Sequence, residues 1–345
     1  MEPKTRKALY AFSSFLFGLW TFVTINGISG PAFEPILEAC PPSNYTTIDE
    51  FVAATGYHAY DPYVGLGVLD TLVCLITQFL LELRDTYPAG VLVWCSIIVV
   101  SLPTTVLWIT EAGRAGAKGP IKYPVAMGLL GQLFGISVAF PLVWLPALVY
   151  GEGTRGAPVT PFRVKTCGLL VIPTSVLTAT VFLADTTSQL WTTAAGMLGG
   201  PIVAMGGLVL YADESSALEA TSENKASTRM AISNMYMKLF FVGFFGWYTL
   251  VVIAVNHYVL DNSDASLLED LWTNAGPSVK FMVIDTAVLF LSFLQYIAYR
   301  GGEFRALKAF GLSMILGPAS ACFQVLIEIE EEEGEKEKEE TKKED

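Results

Sequence analysis

The sequence predicts an all-α protein, a polytopic bundle of helices that cross a membrane. Hydrophobic residues make up 52% of the 345 residues and charged residues 16%, and the mean hydropathy is +0.49. Soluble domains carry about 25% charged residues, so this composition is typical of a membrane protein. The apolar residues form uniform runs of about 20 rather than short alternating segments, which favours helices over a β-barrel.

Nine apolar runs are long enough to cross roughly 30 Å of hydrocarbon as helices. In chain order they are 8–28, 63–83, 89–110, 125–150, 165–184, 189–210, 237–257, 280–299 and 306–326. The sequence therefore predicts about nine transmembrane helices, within a range of seven to nine. The polar connections are shorter than a domain of about 50 residues, so residues 1–326 are predicted to form a single transmembrane domain.

Proline and glycine residues interrupt several of these runs and predict kinks that open space between helices. They are Pro103, Pro141, Pro146, Pro173, Gly199-Gly200-Pro201 and Gly317-Pro318. After the last run, residues 327–345 are dominated by Glu and Lys and contribute much of the net charge of −12. This composition predicts an acidic, disordered tail.

Lys and Arg residues concentrate on one side of the membrane when the N-terminus is placed in the cytosol. The basic residues left on the opposite side are Arg114, Lys118, Lys122 and Lys280. The loop 31–62 would then face a lumen, where the sequon at Asn44 could be glycosylated. We therefore expect an integral protein of the endoplasmic reticulum with a cytosolic N-terminus. Because Cys40 is the one lumenal cysteine in this arrangement, no intrachain disulfide is expected.

Two aspartates lie inside apolar runs in nearly the same setting, Asp70 in Val-Leu-Asp-Thr-Leu-Val and Asp285 in Val-Ile-Asp-Thr-Ala-Val. A carboxyl group in hydrocarbon costs roughly 2.5–3.5 kcal/mol on the mildest scale, so an ionisable residue there predicts a functional site. At 1.5 Å per residue, both lie roughly 8–10 Å below the lumenal boundary and could face one cavity. The other acids expected at this level are Glu34, Glu38, Glu111 and Asp185. Glu82 is expected near the headgroups at the opposite end.

A buried carboxyl group with no cation nearby resists ionisation and can serve as a general acid. No Lys or Arg lies in the middle of any run, which favours protonated or proton-sharing carboxyls over a salt bridge. Aromatic faces, notably Phe244 and Trp247 in the seventh run, could stabilise a carbocation, although an aromatic stripe is more often packing. The sequence has no P-loop, Cys/His cluster or paired Asp-rich motif, so no metal or other cofactor is expected. It lacks a basic patch, so nucleic acid is not an expected partner.

With acids on an early and a late helix and no diphosphate motif, the chain resembles the fungal integral-membrane terpene cyclases of meroterpenoid and indole-diterpene biosynthesis. It looks more like the longer cyclases of the ascofuranone, ascochlorin or paxilline type. It lacks the Asn-Phe-Ala-Trp-Glu type of motif of the pyripyropene branch, and Asp70 stands where that branch has Glu.

The resemblance implies an isomerase or lyase of secondary metabolism, in which Asp70 and Asp285 open the terminal epoxide of a prenyl chain without a cofactor. It also implies a lipophilic, epoxidised prenyl substrate that enters from the lipid bilayer. A prenyltransferase and an epoxidase would act upstream.

Two other classes remain open. A proton-coupled transporter would use the same acids to bind protons or a cationic substrate, and kinked helices suit it equally well. The inverted repeats typical of transporters are not found, since the matching segments around Asp70 and Asp285 cover about six residues and are predicted to run in the same direction. A membrane receptor or scaffold is the third class.

Overall fold

The computed structural model describes residues 3–40, 45, 47–57, 67–114, 116–151, 157–179, 218–219, 221–260 and 266–344. Regular structure in these ranges is helical, without strands, which confirms the predicted all-α class for this part of the chain. The α-helices are α1 Pro3–Ala39, α2 Ile48–Thr55, α3 Gly67–Asp85, α4 Ala89–Ala112, α5 Pro124–Phe134, α6 Ile136–Tyr150, α7 Pro161–Ala179, α8 Ser222–Val255, α9 Pro277–Gly301, α10 Glu303–Leu316 and α11 Pro318–Glu344.

Four helices in the described ranges are long and apolar enough to cross a membrane. They are Lys4–Ala39 in α1, Ala89–Ala112, Ser222–Leu260, which continues α8 through a π-turn, and Pro277–Gly301. These helices are consistent with a membrane protein, while the expected count of about nine is not confirmed. The predicted run 189–210 and the end of 165–184 lie outside the described residues.

Local charge and chain breaks explain why some predicted runs do not form long apolar helices. The run 63–83 overlaps α3, whose ends carry charged residues. The run 306–326 is divided at Gly317, whose φ of +82° ends α10 before Pro318 begins α11. A glycine in the left-handed region followed by proline is a common way to stop a helix.

The predicted run 125–150 is a helical hairpin instead of one span. α5 ends at Gly135, which has a φ of +96°, and α6 starts at the next residue. At the tip, a Cβ on Gly131 would lie 3.5 Å from Ile136 Cα. At the open end, a Cβ on Gly151 would lie 3.2 Å from Ile121 Cδ1. The chain therefore enters and leaves at one end and reverses at Gly135.

α1 lies antiparallel along α9. Near the start of α1, the Arg6 Nη2 donates to Ala298 O at 3.3 Å, and Ser13 Oγ accepts from Gln295 Nε2 at 2.6 Å. Further along α1, Ile25 shares a buried apolar cluster with Ile284. In these contacts the residue number increases along α1 while it decreases along α9, so the two helices run in opposite directions.

α7 lies antiparallel along α4 and caps its C-terminal end. Trp94 Nε1 donates to Thr178 O at 3.0 Å, and Arg163 Nε donates to Ile109 O at 2.8 Å. Arg163 is buried. Its guanidinium lies at the end of α4 where the helix dipole is negative, which favours a positive charge.

The predicted disordered tail is helical in the structure. α11 continues to Glu344, and Ile329 and Glu330 are buried. Arg300 Nη2 pairs with Glu330 Oε1 at 3.3 Å and with Glu333 Oε2 at 3.0 Å. The other ion pairs that hold α11 are Arg305–Glu332 and Lys308–Glu328. The structure therefore describes residues 327–344 as helical, and composition alone did not indicate that basic residues at the end of α9 and in α10 pair with these acids.

Glu111 and Arg114 lie at the same end of the bundle as Arg300, contrary to the predicted sidedness. Arg114 Nε pairs with Glu111 Oε1 at 2.8 Å, and Arg114 is close enough to Glu330 and Arg300 to interact with them electrostatically. The assignment of Arg114 and Arg300 to opposite sides is therefore wrong. It assumed that each apolar run crosses the membrane once, whereas 125–150 turns back on itself.

A disulfide joins Cys40 to Cys74, with their Cα atoms 6.2 Å apart. It connects the residue after α1 to the second turn of α3. The expectation of no disulfide is wrong, because it placed Cys74 inside a span and away from the lumenal end of α1. A buried cluster that includes Phe51 of α2 packs around the bond.

Candidate functional site

Asp285 is buried where α9 meets the tip of the α5–α6 hairpin. Its side chain is 3% exposed, and Oδ1 accepts a hydrogen bond from the Ser137 backbone N–H at 3.0 Å. A Cβ on Gly135 would lie 2.9 Å from the same oxygen. Only glycine fits at Gly135 without a shift, both for this contact and for its positive φ.

The hairpin explains why the chain offers a donor at this point. The first N–H groups of α6 have no partner within the helix, and Gly135, its N-cap, has no side chain to satisfy them. Asp285 takes this role from another helix. The positive end of the helix dipole favours a carboxyl group there, so capping α6 is a structural role that Asp285 performs in any case.

The second oxygen of Asp285, Oδ2, differs from Oδ1 in its hydrogen bonding. Within the described residues, no hydrogen bond of normal geometry is donated to Oδ2, and the one that Oδ1 accepts comes from Ser137 N. No described Lys or Arg pairs with Asp285. The residue is therefore not one half of a salt bridge in this part of the chain.

Apolar side chains pack together next to Asp285 and Ser137 in the chain. Ile25 of α1, Val138 of α6, and Ile284 and Val288 of α9 form one buried cluster. Phe281 lies one turn before Asp285, and its Cζ would be 3.6 Å from a Cβ on Gly135. The side chains described next to Asp285 are therefore mainly aliphatic or aromatic.

Phe281 begins a chain of aromatic contacts. Its ring centroid lies 5.7 Å from that of Phe79, and the Phe79 centroid lies 6.0 Å from that of Phe33. On the other side of the hairpin tip, Phe22 and Phe134 are 5.9 Å apart. The position of Phe281 beside the hairpin tip was not predicted, although its spacing of four residues from Asp285 places both on one face of a helix.

Asp70 is also buried, at 7% exposed, but in a different place. It lies in the first turn of α3, one turn before the disulfide-bonded Cys74. No described contact joins Asp70 to Asp285, whose carboxyl group is held by Ser137. The two carboxyl groups are therefore not a hydrogen-bonded pair.

Glu82 lies beside the start of α9 instead of at the opposite end of the bundle from it. Its Oε1 accepts from Ser278 N at 3.0 Å and its Oε2 accepts from Ser278 Oγ at 2.6 Å. Glu82 thus caps the start of α9, seven residues before Asp285. The expected place of Glu82 is wrong because it assumed that α3 spans the membrane and ends far from the start of α9.

The other predicted site residues do not meet at Asp285. Glu34 and Glu38 are exposed on α1. Phe244 packs against Tyr248 of its own helix, with centroids 4.6 Å apart, and Trp247 packs against Gly317. Asp185 and Asn44 lie outside the described residues. Within the described ranges, no group of three or more His, Cys, Asp or Glu side chains could hold a metal ion.

The fold and this site define a helical membrane protein with a buried acid in apolar surroundings. A family model described as the CtvD domain matches residues 5–183, about half of the chain. The chain belongs to this family, which is of the fungal meroterpenoid and terpene-cyclase type. The match includes Asp70 and the hairpin and ends before Asp285. Neither the curated proteins nor the solved structures contain a significant match.

Proposed function

We propose that the protein is a membrane-bound terpene cyclase that protonates the terminal epoxide of a prenylated, meroterpenoid-type substrate. The observation that carries the proposal is the Asp285 carboxyl group, fixed through Oδ1 by Ser137 and with no described donor to Oδ2. In apolar surroundings, the substrate is bound by shape and by this one polar group. Membership of the CtvD family supports a cyclase-type role.

The reaction begins when Asp285 transfers its proton to the epoxide oxygen. The carbon–oxygen bond of the more substituted carbon breaks as the proton arrives, and positive charge develops on that carbon. A double bond of the prenyl chain attacks the carbon and forms the ring. Loss of a proton from the ring cation, or attack by an oxygen of the substrate with loss of its proton, ends the reaction, so the product is an isomer of the substrate.

The walls of the site protect the cation in this mechanism. Phe281 and its neighbour Phe79 offer aromatic faces and edges close to Asp285. Aromatic faces attract a cation by about 0.5–2 kcal/mol. The aliphatic side chains of Ile25 and Val288 exclude water, which would otherwise add to the cation before the ring closes.

Asp70 is proposed as the second acid, acting apart from the first proton transfer. Its burial and its place within the CtvD match support a functional role. The Cys40–Cys74 disulfide holds the first turns of α3, and with them Asp70, against the end of α1. In this role Asp70 accepts the proton that ends the cyclisation or orients the substrate head group.

The proposed location is the endoplasmic reticulum membrane, with the N-terminus in the cytosol. A disulfide persists in an oxidising compartment, so the Cys40–Cys74 bond supports a lumenal position for the C-terminal end of α1. The substrate is a lipophilic prenyl epoxide that enters from the bilayer. A prenyltransferase and an epoxidase would supply it.

The broken helix at Gly135 favours a second candidate function, a proton-coupled transporter. Transporters often bind substrate where discontinuous helices end inside the membrane. Here the N-terminus of α6 meets a buried carboxyl group at such a break. In that reading Asp285 would bind and release a proton while the hairpin moves.

Microsomes that contain the protein should cyclise epoxyfarnesyl-phenol substrates, and Asp285→Asn should abolish this activity. The amide keeps an oxygen acceptor for the Ser137 N–H but cannot donate a carboxyl proton, so the loss should be about 10²–10⁴-fold. Asp70→Asn tests the second acid. Asp270→Asn is the matched control, because Asp270 is partly buried and bonds Tyr258 away from the site.

Two results would contradict the proposal. Full activity of Asp285→Asn would show that another group supplies the proton. Absence of cyclised product from the wild-type protein, together with proton-dependent uptake of a solute into sealed vesicles, would favour the transporter. Liquid chromatography with mass detection distinguishes the cyclised isomer from the epoxide by retention time.

A further inference from the structure

We infer that Ser137 is a positioning residue that acts on Asp285 in two stages, first through its backbone N–H and then through its hydroxyl group. The N–H holds the carboxyl group before proton transfer. The hydroxyl donates a second hydrogen bond to the carboxylate that proton transfer creates. This inference rests on the proposed function and names a residue that improves its chemical step.

The first stage depends on the bond between Ser137 N and Asp285 Oδ1, 3.0 Å long. Gly135 packs against the same oxygen, because a Cβ at this position would lie only 2.9 Å from Oδ1. Oδ1 accepts the N–H bond as the carbonyl oxygen of the neutral acid. The acid proton is therefore on Oδ2. The hairpin tip thereby selects which oxygen presents the proton.

The second stage depends on the Ser137 side chain. The residue is fully buried, and its Oγ has no hydrogen-bond partner of normal geometry among the described residues. It nevertheless approaches the Asp285 carboxyl group. A buried hydroxyl group without a hydrogen-bond partner is destabilising, so the Ser137 side chain is unfavourable in the resting protein.

The break in the hairpin explains why the hydroxyl has no partner. Serine hydroxyls inside helices commonly bond a carbonyl oxygen three or four residues earlier, as Ser29 does with Ile25 O at 2.7 Å. For Ser137 those carbonyls belong to Leu133 and Phe134, which are in α5 on the other side of Gly135. The hydroxyl therefore remains available to Asp285.

Proton transfer strengthens the hydrogen bond that the Ser137 hydroxyl group can donate to Asp285. When Oδ2 loses its proton to the substrate, the negative charge is shared by both oxygens of Asp285. A hydrogen bond to a charged group is about twice as strong as one between neutral groups. The Ser137 proton stays on Oγ, and the one change is a new O–H···O hydrogen bond. Because this bond strengthens as the charge develops, it accelerates the chemical step rather than binding.

Ser137→Ala tests this role, with Ser292→Ala as the matched control. Ser292 is fully buried on α9, and its Oγ also has no partner in the described part of the chain, but it lies seven residues from Asp285. Ser137→Ala should lower kcat by about 10–100-fold, which approaches the loss seen when one oxyanion-hole donor is removed. Its KM should stay within about twofold of the wild-type value. Ser137→Thr should recover most of kcat because it keeps the hydroxyl. Ser292→Ala should leave kcat unchanged.

A measurement that does not need turnover separates this inference from the proposed function. Infrared difference spectra of wild type and Asp285→Asn, recorded as the pH is raised, identify the bands of the Asp285 carboxyl group and carboxylate. Ser137→Ala should shift the carboxylate bands and leave the neutral C=O stretch in place. Absence of turnover by the wild type would overturn the cyclase, whereas unshifted carboxylate bands would overturn the role of the hydroxyl.

Kinetic results can overturn it as well. Wild-type kcat in Ser137→Ala would do so, and so would an equal loss in Ser292→Ala. A fall in the melting temperature of Ser137→Ala that accounts for the lost activity would assign Ser137 a purely structural role. Removal of an unpaired hydroxyl is expected to leave the melting temperature unchanged or to raise it.

Discussion

Glu82 accepts two hydrogen bonds from Ser278, one from the backbone N–H at 3.0 Å and one from the hydroxyl at 2.6 Å. This carboxylate on α3 fixes the first turn of α9, the helix that carries Asp285. Seven residues separate Ser278 from Asp285, which is about 10 Å along a helix and close to two full turns. The position of Asp285 therefore depends on a capping contact made by another helix.

Glu82→Ala should destabilise the protein by about 0.5–2 kcal/mol, the usual cost of removing an N-terminal cap. Glu82→Gln should cost less, because its amide oxygen can still accept from Ser278 N. Asp85→Ala is the control, since Asp85 is exposed and makes a surface pair with Arg84 at 3.5 Å. Thermal unfolding in detergent measures the difference. Equal melting temperatures for Glu82→Ala and Asp85→Ala would contradict the capping role.

Gly135→Ala and Gly302→Ala separate backbone strain from contact with Asp285. Both glycines have similar φ values, +96° and +94°, but a Cβ on Gly302 would meet open space. Gly302→Ala should cost about 1–2 kcal/mol from strain alone. Gly135→Ala should destabilise the protein more than Gly302→Ala does. It should also lower turnover, because the new Cβ displaces Asp285 Oδ1.

Melting temperatures and turnover of the two glycine variants, measured under the same conditions, check this comparison. Equal losses of stability with full turnover in Gly135→Ala would show that the hairpin tip does not determine the position of the carboxyl group.

Loss of the Cys40–Cys74 disulfide should destabilise the protein by about 2–4 kcal/mol, since the bond closes a sequence separation of 34 residues. Cys40→Ser, Cys74→Ser and the double variant should have the same melting temperature as reduced wild type. Cys95→Ser is the control, because Cys95 is a free thiol. Labelling of Cys40 by maleimide without reductant would show that the bond does not form.

The contact of α11 with α10 should weaken in acid. A hydrogen bond from Arg305 lowers the pKa of Glu332 below its ordinary value of 4.5. A group whose pKa is lower in the folded protein adds stability above its unfolded pKa, and this is lost as the pH falls through the folded pKa. Amide exchange in α11 should therefore increase below pH 4.5.

Arg305→Gln should remove that part of the pH dependence, because Glu332 then titrates nearer its ordinary value. Lys4→Gln, a change of an exposed basic residue on α1, should leave the dependence intact. Hydrogen exchange of α11 amides followed by mass spectrometry provides the measurement. The same pH dependence with and without Arg305 would exclude this pair as its source.

The sequence predicted some of the local features well. Apolar runs indicated a helical membrane protein, and Gly317-Pro318, predicted to kink the run 306–326, lies where α10 ends and α11 begins. The break at Gly135 was not predicted, because a glycine within an apolar run can be accommodated in a helix. The importance of this break depends on Asp285, which packs against Gly135 in space although it is far from Gly135 in the chain.

The sequence by itself determined the helical membrane class and the presence of Asp285 inside an apolar run, because both follow from the composition of neighbouring residues. Tertiary structure decided what Asp285 contacts: its hydrogen-bond donor, Ser137, is 148 residues away. It also decided that Cys40 bonds Cys74 and that the acidic segment folds against Arg300. The average hydropathy of neighbouring residues predicts which segments are buried. The hydrogen-bond, ion-pair and disulfide partners of a side chain depend instead on how helices from distant parts of the chain pack.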